Sequence, residues 1–224
     1  MQGIDAVVNR QIETWERAVD STTESTSKPV VSISRQRGTG GSYVARRIAE
    51  ELGYNMFDRL ALNAIVDNPE FLRRIVNALD ENQRRQFDEW IGGSSARSGS
   101  NDDYFRKLHH TVAAIARHGG VVLVGRASNF ILTLQTGFHL RVLAPESVRV
   151  KNLIEFSNVD DETALEAIRE SDTERLAFVK DNFGYDINDP NYYDLIINRA
   201  FMGLEEVVKL ALAGAHEKFK AMAG

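Results

Sequence analysis

"SISRQRGTGGSYVARRIAEELG", Ser32 to Gly53, reads as a strand, a glycine-rich loop and a helix, in that order. Pro29 precedes "VVSIS", a short apolar run of the kind a buried parallel strand shows. Ser42 opens a helix whose apolar face is Val44, Ala45, Ile48, Ala49 and Leu52. On its other face Arg46–Glu50 and Arg47–Glu51 stand at i,i+4 spacing, and Gly53 is the expected C-terminal stop. Glycine permits positive φ and close approach of the backbone to a ligand. Successive N–H groups in such a loop can point at phosphate oxygens, aided by the dipole of the following helix. The segment 30–49 carries Arg35, Arg37, Arg46 and Arg47 and no acidic residue. It is a locally positive stretch in a chain of net charge −5.

Three readings of the loop stay open on these residues. Against the pattern G-x-x-x-x-G-K-[ST], Gly40 and Ser42 match, whereas Arg35 stands at the first glycine and Gly41 at the lysine. Against G-x-G-x-x-G, Gly38 and Gly40 match, and Asp58 supplies an acid at the right distance, but Tyr43 occupies the third glycine. The third reading is a tight turn whose glycines serve only the backbone.

The rest of the chain alternates strands with helices. "YNMF" (54–57) is a second short strand ending at Asp58, "VVLVG" (121–125) a third, "FHLRVLA" (138–144) a fourth and "YDLIIN" (193–198) a fifth. Residues 59–91 read as helices only, with Pro69 in a first turn and Asp80 a cap. "GGSSARSGSND" (92–102) reads as a loop that buries little. A helix over about 103–117 follows, then helices after Pro145 and through "DDETALEAIRESDTERLAFVKDNFG", and a last amphipathic helix. This alternation predicts a mostly parallel sheet with helices on both faces, ligands gathering at the carboxyl ends of the strands. At the N-terminus Ile4, Val8, Ile12, Trp15 and Val19 form one helical stripe, followed by a polar, low-complexity linker over 20–28. That helix packs either on its own domain or on a second copy, as a homodimer contact.

The 224 residues suffice for one α/β domain with an inserted subdomain. The absence of cysteine excludes disulfides and thiolate metal sites and fits a reducing cytoplasm, the expected location. The acidic balance argues against nucleic acid as a partner, and no apolar run approaches a membrane span. No signal peptide is read at the start. The five histidines lack metal spacing and are assigned no catalytic role.

Taken together, "RQRGTGGS", "YNMFDRLALNAI", "VVLVGRASNFIL" and "FHLRVLAPESVRV" resemble, in order and spacing, the cytidylate kinase family, and more closely its cytidylate kinase-like branch. The resemblance covers about 29–212. It implies a three-layer P-loop kinase fold with a five-stranded parallel sheet, ATP and Mg²⁺ as cofactors, and a phosphorylated small molecule or nucleotide as partner. A helical acceptor-side insertion would cover about 59–105 and a lid about 157–190, within a domain spanning 29–224. Gly38, Thr39, Gly40, Gly41 and Ser42 lie where the family's loop lies. Asp58 matches the aspartate ending its second strand, and Gly125 and Arg126 match its Gly-Arg-Asp motif.

The chain departs from the family at Gly41 (lysine), Ala127 (aspartate), Asn63-Ala64 (the Tyr-Arg arginine) and Ser171-Asp172 (the lid Arg-Asp, with Arg175 displaced). The candidates that follow are Arg37, with Arg35 second, for the missing lysine. Arg126 is the candidate for the acceptor phosphate, and Arg149, Arg175 and Lys180 for the lid. Ser42 is the candidate Mg²⁺ ligand through its hydroxyl. Asp58 is read as an acceptor anchor or a magnesium partner through water. Each has a plainer reading: solvated loop arginines at 35 and 37, a solvated helix face at 175 and 180, and a helix cap at Asp58. Function divides into ATP-dependent phosphoryl transfer to a small acceptor, and a catalytically weak nucleotide or anion sensor.

Overall fold

A computed structural model describes residues 2–20, 28–94 and 103–223. Most of the linker read at 20–28 and of the loop read at 92–102 lies outside them. Helix α1 (Gln2–Asp20) leads to β1 (Val30–Arg35), α2 (Gly41–Leu52) and β2 (Asn55–Phe57). A helical block follows: α3 (Arg59–Asp67), α4 (Pro69–Asn77), α5 (Glu81–Ser94) and α6 (Asp103–His118). Next come β3 (Val121–Val124), α7 (Ser128–Ile131) and β4 (Gly137–Leu143). The chain ends with α8 (Glu146–Ser157), α9 (Asp161–Phe183), β5 (Leu195–Asn198) and α10 (Leu204–Ala223). Helix α5 runs on through Gly92 to Ser94, past the point where the glycines predict a stop. Trp90 and Ile91 pack against the core and hold that last turn.

The five strands form one parallel sheet of order β2-β3-β1-β4-β5. Alternate residues of the central strands enter two cores, one on each face. Val31, Ile33, Val122 and Val124 pack with Val44, Ile48 and Val208 of α2 and α10. Val30, Val121 and Leu123 pack with the helical block and α1. Burial on both faces is why these strands read as continuous apolar runs. The exceptions are Ser32, Ser34, His139 and Arg141, which are buried on β1 and β4. Arg141 donates to Ser34 Oγ at 2.8 Å and to Asn188 Oδ1 at 2.8 Å, so its charge is held in hydrogen bonds.

Helix α1 packs on its own chain. Val8, Ile12 and Trp15 are buried against α3 and α4, and Trp15 stacks on His118 with 4.1 Å between ring centroids. Arg74 of α4 forks onto Glu16 through two 2.8 Å hydrogen bonds and reaches Asn9 at 2.8 Å. Val8, Ile12 and Trp15 of the stripe are therefore covered within one chain. Among the described residues no helix is long and apolar enough to cross a membrane.

Because β1 lies between β3 and β4, the loops after β1 and β3 emerge side by side at the carboxyl edge of the sheet. The chain crosses from one side of β1 to the other here, a topological switch point where such sheets take ligands.

Candidate functional site

The loop after β1 is anchored on both flanks. Gln36 N–H donates to Val142 O at 3.1 Å, and the Gln36 side chain accepts from Ala144 N–H at 3.2 Å. Thr39 is fully buried and donates to Gln36 O at 2.8 Å. Gly38 and Gly40 take left-handed φ of 82° and 72°. Gly38 also lies against α8, where a Cβ would come 2.6 Å from Arg149 O. Asn152 donates to Gly38 O at 2.7 Å and Arg199 to Thr39 O at 2.9 Å. Two loop carbonyls are thereby tied outward by side chains.

Gly41 is glycine for a different reason. A Cβ there would fall 2.6 Å from Arg35 Cβ and 2.7 Å from Arg35 Cγ. The Arg35 stem fills the space that a lysine at 41 would need. Its guanidinium continues across the sheet edge to Gly125, where a Cβ would collide with Arg35 Nη1. One arginine thus fills the space beside two glycines, at the start of α2 and at the end of β3.

Gly125, Arg126 and Ala127 have φ of 77°, 50° and 54°, three consecutive left-handed residues. For Arg126 and Ala127 this conformation costs on the order of 1 kcal/mol or more each, and such strain concentrates at functional sites. Arg126 Nε donates to Asn63 Oδ1 at 3.1 Å, and its guanidinium lies 5.7 and 5.8 Å from the rings of Tyr104 and Phe178. Tyr104 O–H donates to the same Asn63 oxygen at 2.9 Å. Asn63 stands where the family's Tyr-Arg arginine is absent, and it serves as a positioning group for Arg126.

Arg175, on α9, donates through Nη1 to Arg35 O at 2.5 Å. Arg35, Arg37, Arg126 and Arg175 therefore all line one cavity of about 600 Å³, together with Arg59 and Glu174. Burial, then the neighbouring Arg175 charge, lowers the Arg35 pKa to about 10, while Asp58 opposes this. Arg175 is lowered by burial first, with Asp172 opposing and Arg37, Arg59 and Arg141 adding to the depression. Like charges held together at this density repel one another, and a bound anion would offset that repulsion.

The other expected residues lie elsewhere. Asp58 caps α3, its Oδ1 accepting from Leu60 N–H at 2.9 Å and Ala61 N–H at 3.0 Å. It bears on the site through its charge beside Arg35. Arg149 is buried beneath the loop and paired with Asp172 at 2.7 Å, so it does not face the cavity. Lys180 is exposed and reaches back to Gly184 O at 3.4 Å, at the end of α9. Five residues of helix turn it well away from the face that carries Arg175. Ser42 is exposed at the start of α2 and does not line the arginine cavity. Tyr43, the misfit of the dinucleotide pattern, points outward to Glu205 at 2.6 Å.

Arg59, Asn63, Glu174 and Asn129 escaped the sequence reading. Arg59 and Asn63 lie within "YNMFDRLALNAI" and Asn129 within "VVLVGRASNFIL", whereas Glu174 is a polar residue on a helix with no such signal. Among the described residues no cluster of three or more His, Asp or Glu side chains could hold a metal ion.

The chain is similar to several known proteins. A cytidylate kinase from Ignicoccus hospitalis is 25% identical over 185 residues, covering 80% of this chain and 95% of its own. One from Methanocaldococcus jannaschii is 23% identical over 192 residues, covering 81% and 94%. Among solved structures, an uncharacterized protein from Eubacterium ventriosum superposes with a TM-score of 0.68 at 18% identity, covering 85% of this chain and 99% of that one. A gluconokinase from Sinorhizobium meliloti superposes with a TM-score of 0.51 at 17% identity, covering 87% and 95%. The fold is that of the P-loop kinases. With the cytidylate kinase-like family model matching residues 30–200, the chain belongs to the cytidylate kinase-like family.

Proposed function

We propose that this protein is a nucleotide-dependent phosphotransferase that moves the γ-phosphate of ATP to a small anionic acceptor, a nucleoside monophosphate in the first instance. The observation that supports it best is the convergence of Arg35, Arg37, Arg59, Arg126 and Arg175 on one cavity beside a glycine loop. Phosphoryl transfer asks a protein for positioning and for positive charge around the transferring group. In this reading the left-handed loop and the start of α2 hold the donor phosphates through backbone N–H groups. Arg35, reaching in from the end of β1, supplies the charge that a lysine at 41 would supply. Arg126, already oriented by Asn63, takes the acceptor's anionic group. Arg37, exposed on the loop, and Arg175, on α9, complete the cation shell. Ser42 Oγ, exposed at the start of α2, would be the protein's ligand to a Mg²⁺ ion, which would neutralise phosphate charge.

A second reading, a catalytically weak nucleotide or anion sensor, is favoured by Gly41 and Ala127, where the lysine and the aspartate are missing.

A thermal-shift panel of nucleotides with Mg²⁺, followed by a turnover assay on those that stabilise, separates the two. A ligand bound only by the native state raises the melting temperature by mass action. Stabilisation with turnover supports the phosphotransferase, and stabilisation without turnover selects the sensor. No shift with any nucleotide at millimolar concentration rejects both.

A further inference from the structure

Beside the arginine cavity lies a smaller one, of about 90 Å³. The two share Arg35 and Arg175, whereas Arg141, Asp172 and Asn188 line the smaller one alone. Arg141 enters from β4 and is 3% exposed. Its side-chain hydrogen bonds all go to uncharged groups. Nη1 donates to Ser34 Oγ at 2.8 Å and to the Tyr193 hydroxyl at 3.3 Å, and Nη2 donates to Asn188 Oδ1 at 2.8 Å. The Tyr193 ring lies 5.4 Å from its guanidinium carbon. Such partners satisfy donors and leave the charge in place. A buried charge is ordinarily paired with an opposite one.

The surrounding residues do not supply that charge. Asp172 is the one carboxylate in the lining, and Arg149 Nη1 donates to it at 2.7 Å. Asp58 acts on Arg35 through space, and Arg175 donates to a carbonyl, Arg35 O. Three arginines thus line the chamber with one carboxylate that is bonded elsewhere. A chamber of about 90 Å³ has room for a few water molecules. That is enough for a phosphate or sulfate and too little for a nucleoside. A tetrahedral oxyanion can accept from several guanidinium groups at once, and charge-assisted bonds of this kind are strong ones.

We propose that this chamber is a separate site for one inorganic oxyanion of phosphate size, held among Arg141, Arg35 and Arg175. The site does not depend on the phosphotransferase reading. An anion bound there ties together β4, the end of β1 and α9, the three elements that carry these arginines.

The test compares potassium phosphate with potassium chloride at equal ionic strength, by thermal shift on the full chain. Phosphate is expected to raise the wild-type melting temperature by about 3 °C more than chloride does. Asn188→Asp keeps the bond to Arg141 and places a carboxylate beside it, so the phosphate increment should disappear. Arg141→Met removes the cation and should abolish the increment too, which keeps the test open if Asn188→Asp does not fold. Arg126→Gln takes a cation from the larger cavity alone and should retain the increment. The proposal is overturned by no increment in wild type, by one that survives in either folded variant of the chamber, or by one lost in Arg126→Gln. ATP separates a free anion from a nucleotide's terminal phosphate. Any ATP shift should survive Asn188→Asp, and its loss would give the chamber to the nucleotide and overturn the free-anion site. If nucleotides shift nothing while phosphate behaves as expected, the phosphotransferase reading fails and this site stands.

Discussion

Arg35 and Gly41 constrain each other. The stem of Arg35 lies where a side chain at 41 would go, with 2.6 Å between the hypothetical Cβ and Arg35 Cβ. Gly41→Ala should therefore destabilise the protein by about 1–3 kcal/mol, the usual cost of overpacking a filled space. Removing the stem with Arg35→Gly should relieve most of that cost. Urea denaturation of the two single variants and the double variant measures the coupling, and additive effects would show that the two positions do not share space. Arg37 behaves differently because it is exposed and makes no packing contact of this kind. Arg37→Ala should leave the urea midpoint unchanged and slow turnover about 10²-fold, the usual loss for one preorganised donor. An unchanged rate would remove Arg37 from the site. Both arginines stand out in "RQRGTGG" as candidates for the missing charge. That Arg35 reaches across to Gly125 depends on two chain segments ninety residues apart and has no trace in either segment alone.

At the scale of elements, α1 and α9 carry the contrast. The stripe Val8, Ile12, Trp15 is legible from spacing, but its target is not, since an apolar stripe matches any apolar surface. The target is α3 and α4 of the same chain, with Trp15 on Phe57 and His118. Trp15→Ala should cost about 3–5 kcal/mol, as other large aromatic truncations in cores do, read from the urea midpoint. His118 adds a pH dependence. Burial lowers its pKa to about 4, against a hydrogen bond to Ile75 O and the Asp80 charge, which both raise it. The unfolded chain has an ordinary histidine near 6.5. The unfolded state thus binds the proton more readily, and stability is complete above about pH 6.5 and falls as pH drops toward 4. His118→Gln should flatten that part of the profile relative to wild type in urea titrations at pH 7 and 4.5, and a profile of unchanged slope would show His118 is not responsible. Helix α9 reads from sequence as a charged, solvated surface. In the structure one face, Ser171, Arg175 and Val179, turns inward over the cavity while Lys180 stays outside.

Over the whole molecule, an acidic chain concentrates five arginines on a single cavity. Burial first, and repulsion from neighbouring arginines after it, lower the pKa of Arg35 and Arg175, a standing cost that a bound anion would offset. Sulfate should accordingly raise the melting temperature more than sodium chloride at equal ionic strength, and equal shifts would mean the cavity does not take anions. The parallel sheet, its helical layers and the glycine loop are all legible from the chain, because strand runs, helical stripes and glycines are local patterns set by backbone sterics and burial. The arginine cavity was partly legible, since four of its arginines stand out beside motifs. Arg59, Asn63 and Asn129 lie inside the same motifs but carry no sign of their own, because a polar residue on a helix looks the same whether it faces water or a site. Sequence alone determined the layered α/β architecture, the family resemblance and a glycine loop without a lysine at 41. Only the tertiary structure decided that Arg35 occupies that lysine's space and that Arg175 faces inward while Arg149 and Lys180 do not. The physical reason is that charge and packing act between segments brought together by the sheet's crossovers, at distances that chain order does not encode.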